Sequence, residues 1–467
     1  MLSMNIPSPL LRKGLLVVAS LLSMLPVSRV AAQAFSGHAL PAIVVGDKPV
    51  KKRSLLPVGE FLFAGIAPWA VDEYVRNEDY AHLSWQSTKY NLNPLHWAWD
   101  NDPFITNEFG HPYHGSLFYS TFRANGASFW QAVPAAFAGS YLWETFAENQ
   151  APAPNDFINT GFGGVTLGEM SYRFANKILD NRSRGVQRQI REIAAMIINP
   201  MNGLTRIIDG RWGRIYGNSV EHDSSNVYLE ADLGLRKFRI DHSGAGLDLY
   251  GHLKLIYGTL FENYKVPFSN IYVNVEAGKD DSSKVNVISA YGSVKGWKLT
   301  SNEKVRNLLM ISMNYDYINN EAFFYSAQSV RLNLFSAFTL SRKISINTLI
   351  GGGPVILSAV PDSFLYKGRN YDFCSGVSYH AHVQVGVLKH IFVGINYRGG
   401  WMKTVNGNAY HHLLHTITSE CRYSLGNGLS LCVEPGYFRL ASYYNSCPEV
   451  VRSYPYFRVS VRYGLNL

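Results

Sequence analysis

The chain has 467 residues, of which 47% are hydrophobic and only 16% charged, with 29 tyrosines and a formal net charge of +9. The charged share falls well below the ~25% usual for soluble domains, and many tyrosines suit a protein that meets lipid at an interface. The length suffices for two domains with full cores. The basic balance points to lipid phosphates rather than nucleic acid, because the chain opens on an export signal.

In that signal Arg12 and Lys13 form the basic flank, Gly14 to Val27 the apolar stretch, and Ala32-Gln33-Ala34 an A-x-A cleavage pattern. Residues 1–34 are therefore expected to be removed, which sends the mature chain to the periplasm or beyond. Residues 35–91 read as a connector and mixed segment that includes "DKPVKKRSLLP" (Asp47 to Pro57). Residues 92–214 read as a helical module.

His111 and His114 sit in "GHPYHG", bounded by glycines, and are expected in a turn. Ser128 to Ala147 is about as long as a membrane span but contains Pro134 and Glu144. It reads instead as a buried helix, narrow along Ala135, Ala136, Gly139 and Ser140. Pro154 suits the first turn of the next helix, where Asn155 and Asp156 meet the positive end of the dipole. Gly161, Gly164 and Gly168 then fall on one face at spacings of three and four, a seam for close helix approach. A phosphate cradle would need a strand before the glycines.

The polar residues of this region are the candidates for chemistry. Glu144 and Glu148 lie one helical turn apart, and Glu169 and Arg173 repeat the spacing. Buried carboxylates are costly unless paired or hydrogen-bonded. His111, His114, Glu144, Glu148, Asp156 and Glu169 are the candidate catalytic residues. His111, His114, Glu144 and Glu148 are the candidate metal ligands. Two readings stay open: a satisfied network that fixes the helix crossings, or a metal site or general base. No G-x-S-x-G nucleophile motif occurs in the module, and no cofactor is expected. From Arg173 to Arg214 nine basic residues face three acidic ones, and "RGVQRQIREIAAMIINP" is amphipathic. It reads as a solvated helix face or as a contact with lipid phosphates.

The stretches "NPLHWAWDNDPFITNEFGHPYHGSLFY", "FWQAVPAAFAGSYLWETFAEN" and "PNDFINTGFGGVTLGEMSYR" together resemble domain-of-unknown-function family 3943. The likeness rests on His111, Pro112, His114 and Gly115, on Trp143, Glu144 and Glu148, and on Asn155, Asp156, Gly163, Gly164, Gly168 and Glu169. It implies an exported envelope protein of Gram-negative bacteria and carries no established activity.

From residue 226 the helical period gives way to alternation. Phe457, Val459, Val461, Tyr463, Leu465 and Leu467 share one face of "YFRVSVRYGLNL", with Arg458 and Arg462 on the other. About 12 such segments of roughly 10–16 residues are legible, long enough for a tilted barrel to cross a bilayer. Connections alternate between short ones ("SRK", 341–343; "KH", 389–390; "GNG", 426–428) and long ones (361–373, 406–410, 443–453), as outer-membrane barrels require. The fold class is therefore α+β: a helical module, then an antiparallel transmembrane barrel over 226–467. Cys374, Cys421, Cys432 and Cys447 show no C-x-x-C spacing, which gives a zinc site of that kind no support. A bridge between Cys374 and Cys447 stays open.

The expected protein is an outer-membrane barrel with a periplasmic or lumen-docked helical plug. Its role is structural, or the passage or binding of a small solute past Arg331, Asn333, His380, His382, Gln384, Arg458 and Arg462. Its partners are outer-membrane lipids and a small solute in the lumen, with no nucleic acid. The alternative is an envelope lipid- or cell-wall-modifying enzyme that uses the histidine–glutamate cluster.

Overall fold

The computed structural model describes residues 55–215, 225–238, 247–278, 285–320 and 324–467. The export signal lies outside the described residues.

Twelve strands close into one antiparallel barrel, each paired with its neighbours in sequence and β1 paired with β12. They are β1 (Val227–Phe238), β2 (Asp248–Tyr257), β3 (Ile271–Gly278), β4 (Val285–Ser301), β5 (Val305–Asn319) and β6 (Phe324–Thr339). The second half holds β7 (Ile344–Tyr366), β8 (Arg369–Val387), β9 (Ile391–Asn406), β10 (Ala409–Gly426), β11 (Leu429–Tyr444) and β12 (Val450–Asn466). Tyr228 pairs with Asn466, so the barrel begins and ends at the same rim, here the terminal rim. The expected long loop 361–373 is instead strand: β7 and β8 run on as a hairpin that turns at residues 367–368. All four cysteines are free, and the Cys374–Cys447 bridge is not formed.

Alternation sorts the two faces as the sequence implies. Arg331, Asn333, His380, His382, Gln384, Arg458 and Arg462 line the lumen. Phe457, Val459, Val461 and Tyr463 are 46–49% exposed on the outer wall. An outer wall of large exposed apolar side chains is costly in water and suits lipid.

Apolar side chains gather inside the lumen toward the rim opposite the termini. Phe238, Tyr325, Val360, Met402, Leu440 and Tyr456 belong to one buried apolar cluster whose members come from β1 and from β6 through β12. Tyr325 of β6 reaches Met402 of β9 at 3.6 Å, so these side chains narrow the lumen near the rim opposite the termini. At the terminal rim the β2–β3 connection brings Leu260, Phe261 and Tyr264 against Leu308, Met310, Phe335 and Leu349. Ion pairs reinforce the inner wall: Arg462 binds Asp232 and Glu420 at 2.7–2.8 Å, and Arg398 reaches from β9 to Asp316 of β5 at 3.3 Å.

The helices are α1 (Leu56–Val71), α2 (Trp85–Asn91), α3 (His111–Ala124), α4 (Phe129–Phe146), α5 (Pro154–Ile158), α6 (Gly164–Ile178), α7 (Gly185–Ile198) and α8 (Pro200–Ile208). Ser128 caps α4 in a capping box with Gln131, and Pro154 opens α5 as expected. Gly164 and Gly168 of α6 form the expected seam, with α3 as partner, whereas Gly161 lies off it and faces the Phe137 ring of α4. A Cβ on Gly164 would stand 2.6 Å from Gly115 Cα, and one on Gly168 would meet the Tyr119 ring. A buried ion cluster clamps the same pair of helices: Glu169 accepts from Arg123, Arg173 and Tyr119 at 2.6–3.1 Å.

This module sits neither in the lumen nor below the barrel. It packs on outward-facing side chains. Tyr119, Phe129, Val165 and Met170 share one apolar cluster with Val227, Tyr257, Ile271 and Ala290. Phe104 shares another with Tyr315, Tyr317, Tyr371 and Phe373. These strand residues alternate with the lumen-lining ones, so the helices lie against the outer wall across β1 to β8. No described helix is long and apolar enough to cross a membrane. The free face of the module is nevertheless apolar, with Leu62, Phe63 and Ile66 of α1 and Trp130, Leu142 and Phe146 of α4 exposed.

Candidate functional site

Two π turns frame the first candidate. One, Thr106–Gly110, leads into α3, and the other, Asn159–Gly163, joins α5 to α6. A π turn inserts an extra residue into a helix and often marks a functional site. His111 and His114 are therefore helical, not in a turn. His111 Nε2 stands 3.3 Å from Asp156 Oδ1, and its Nδ1 stands 3.3 Å from Thr160 Oγ1.

Ligand-type atoms of His111, Glu144 and Asp156 all lie within 4.8 Å of one another, and the same holds for Asp100, Asp102 and His111. Asn155 donates to both Asp100 Oδ1 and Asp156 Oδ1, and Asn107 donates to Asp100 Oδ1. One Glu144 oxygen accepts the Ala153 N–H at 3.0 Å, while the other is buried without a partner. Glu148 lies beyond the end of α4 and accepts from the Trp143 indole at 2.5 Å, so it does not continue the Glu144 face as the spacing suggested.

The remaining candidates stand apart. His114 donates from Nε2 to Ala64 O at 3.1 Å and packs against the Phe118 and Trp143 rings. Glu169 belongs to the clamp between α3 and α6. Burial alone would raise its carboxyl, but Arg123 and Arg173 hold it below the usual range. Asp100 and Asp102 were missed by sequence reasoning. The signal was two aspartates flanking one residue ahead of Pro103, in a stretch that also carries the family resemblance.

Electrostatically the centre is unbalanced. Among the described residues no lysine or arginine ion-pairs with Asp100, Asp102, Glu144, Glu148 or Asp156. Burial pushes Glu144 well above the usual carboxylate range, and neighbouring Glu148 adds to the shift. Burial, then Glu144 and Asp100, does the same to Asp156. Glu148 is pushed up to about 7 and Asp102 to about 6, each mainly by burial. Burial lowers the His111 imidazole to about 4, so it is neutral at pH 7. A neutral imidazole among carboxylates is the protonation state that binds a metal.

Glu108 offers a separate check on how the module docks. It is buried between the first π turn and the barrel, with Asn159 donating to it at 3.2 Å and Gln328 of β6 donating to Asn159 at 2.6 Å. Burial raises its carboxyl to about 7. A raised carboxyl favours folding below its unfolded value near 4.5, and that advantage is lost as pH rises to about 7. Glu108→Gln is therefore expected to stabilise the module at pH 8, on the order of 2 kcal/mol, and to change little at pH 5. Thermal melts at the two pH values check this; equal effects at both would contradict a neutral buried Glu108.

The second candidate is the lumen itself, where a cavity of about 520 Å³ lies between the two apolar clusters. Lys254, Arg331, Arg398, Arg458 and Arg462 face Glu276, Asp316, Glu420 and Glu434 across it. The near balance of charge, with asparagine, serine and threonine between, favours polar rather than strongly anionic or cationic contents. Tyr272 and Tyr291 stack at 5.3 Å on one side and offer a flat apolar platform.

A closed barrel with an apolar outer wall, a polar lumen and a helical module on that wall defines an outer-membrane β-barrel protein. The family signature lies in the module: residues 96–201 match the model of the Domain of unknown function (DUF3943), within the stretch that carried the resemblance. No curated protein matches the chain. Among solved structures the chain is similar to the KdgM porin at 12% identity, covering 50% of this chain and 98% of that one, with a TM-score of 0.25. It is similar to the NanC porin at 9% identity, covering 50% and 100%, with a TM-score of 0.30. OmpT, an outer membrane protein of Vibrio cholerae, matches at 9% identity over 53% of this chain and 99% of that one, with a TM-score of 0.23.

Proposed function

We propose that the protein is delivered by its export signal to the outer membrane, where the barrel holds a small polar solute in its mid-lumen chamber and passes it only when the apolar layer opens. The observation that carries this reading is a polar chamber bordered toward one rim by an apolar cluster of side chains from β1 and β6–β12. A wide-open pore would not bring Tyr325, Met402 and Tyr456 into one apolar cluster inside its wall, and a purely structural barrel has no use for a polar chamber. Lipid contacts the remaining outer wall and the apolar face of α1 and α4.

Tyr325 spans toward β9, where its hydroxyl meets the Met402 sulfur at 3.6 Å. Removing both side chains, as Tyr325→Ala with Met402→Ala, is expected to raise the single-channel conductance from near closed to a resolvable open level in planar bilayers. Liposome swelling with neutral sugars should rise in parallel. A wild-type protein that is already fully conducting, or a double variant that folds and stays closed, would overturn the gated-chamber reading.

The convergence of His111, Glu144 and Asp156 favours a second reading, an envelope enzyme that works at the module. It requires that the centre bind a catalytic ion or present a base to a substrate.

A further inference from the structure

We infer that the centre formed by His111, Glu144 and Asp156, with Asp100 and Asp102 at its entrance, is a binding site for one divalent cation of the Mn2+ or Zn2+ type. This stands independently of the lumen reading, because the site lies on the other side of the barrel wall.

Three observations carry it. First, Glu144 is 1% exposed, and one of its oxygens is buried with no partner while the other is fixed by the Ala153 N–H. A buried orphan acceptor is costly, and this one belongs to a carboxylate that lies within 4.8 Å of His111 and Asp156. Second, the outer donors are arranged as they are around metal ligands. Asn155 and Asn107 hold Asp100, Asn155 holds Asp156, and Thr160 sits on the far nitrogen of His111. Such contacts orient ligands and leave their remaining lone pairs free. Third, one amide nitrogen of Asn155 bridges the Asp100 and Asp156 carboxylates at 2.9 and 2.8 Å, with no lysine or arginine ion-paired to either among the described residues. Repulsion between the two is relieved by a cation or by protons.

The donor set narrows the ion. Carboxylates alone suit Mg2+ and Ca2+, whereas imidazole brings in the first-row transition metals. One histidine among several carboxylates fits Mn2+ or Zn2+. Asp100, Asp102 and His111 are half-buried while Glu144 and Asp156 are fully buried, so the ion enters past the 97–103 segment. The two groups share His111, which places one ion at the imidazole rather than two separate ions.

The test uses the full protein in detergent, stripped with EDTA and then titrated with Mn2+ and with Zn2+. Calorimetry and elemental analysis give the stoichiometry, and melting curves give the shift. The wild type is expected to take up one equivalent and to melt several degrees higher with the ion. Glu144→Gln and Asp156→Asn replace one carboxyl of a crowded group by a neutral amide of the same shape, so their apo forms should melt at or above the apo wild type while losing the ion-dependent rise. His114→Ala, outside the centre, should keep uptake. Should a carboxylate variant fail to fold, His111→Gln carries the same two outcomes. A stripped wild type that takes up neither ion leaves the carboxylates sharing protons and overturns the site. So do variants that retain the full equivalent.

Discussion

Arg462→Ala is expected to destabilise the barrel by about 3–5 kcal/mol, the largest effect of any single substitution in its wall. Arg462 is 4% exposed and forms a two-pronged pair with Asp232 at 2.7 and 2.8 Å, while it also binds Glu420 at 2.8 Å and approaches Glu230 at 3.5 Å. Truncation leaves these carboxylates in a lumen with too few cations. Asp232 keeps His252, and Glu230 keeps Lys254 and Arg422, but Glu420 loses the one partner described for it. Replacing both members, as Arg462→Met with Glu420→Gln, should recover much of the loss, because the uncompensated charge and not the missing contact is the main cost. Urea midpoints of the lipid-refolded variants measure both. Equal destabilisation by the single and the double change would refute the charge explanation.

Gly164→Leu is expected to undock α3 from α6, with a loss of about 3 kcal/mol or more at the upper end of overpacking costs. A Cβ there meets only backbone, at 2.5–2.9 Å from Gly115, and backbone cannot swing aside. The clamp of Glu169 with Arg123 and Arg173 spans the same pair, so it would open with the seam. The barrel closes through its own strands and should keep its heat-modifiable migration while the module becomes protease-sensitive. Gly59→Ala in α1 is the control, since nothing lies within 4 Å of a Cβ there. Its expected effect is neutral to stabilising. Proteolysis followed by gel migration separates module from barrel; a Gly164→Leu module as resistant as the parent would remove the seam.

The barrel was legible because a pleated strand converts composition into geometry directly. Period-2 alternation placed His380, His382, Arg458 and Arg462 inside and Phe457 to Tyr463 outside, and β12 closes on β1 in that register. The apolar layer was not legible. Tyr325, Met402 and Leu414 lie on the inward face like the polar residues, and nothing in one strand says that inward residues of eight strands meet. The strands run on through 361–373 where a long loop was expected, and Gly368 takes the positive φ that the hairpin turn needs.

In the module the Gly164 and Gly168 part of the seam was readable from spacing, since residues four apart stay on one helix face, whereas Gly161 sits in a π turn and faces α4. The histidine–carboxylate centre was only half readable. His111, Glu144 and Asp156 were among the candidates, but π turns shift the register of a helix, and no 3.6-residue count recovers that. Asp100 and Asp102 come from an irregular stretch, where spacing carries no facing information. The docking of the module on the outer wall was invisible, because outward strand residues are apolar whether they meet lipid or a helix.

That docking decides where the centre stands, and a cross-link tests it most directly. With the four native cysteines replaced by serine, Asn159→Cys is paired either with Gln328→Cys, whose parent side chain meets Asn159 from the outer wall at 2.6 Å, or with Arg331→Cys, which lines the lumen. Efficient disulfide formation in the first pair and none in the second is the predicted result for protein in native membranes. A cross-link to position 331, or none to 328 in folded protein, would contradict a module held on the outer wall.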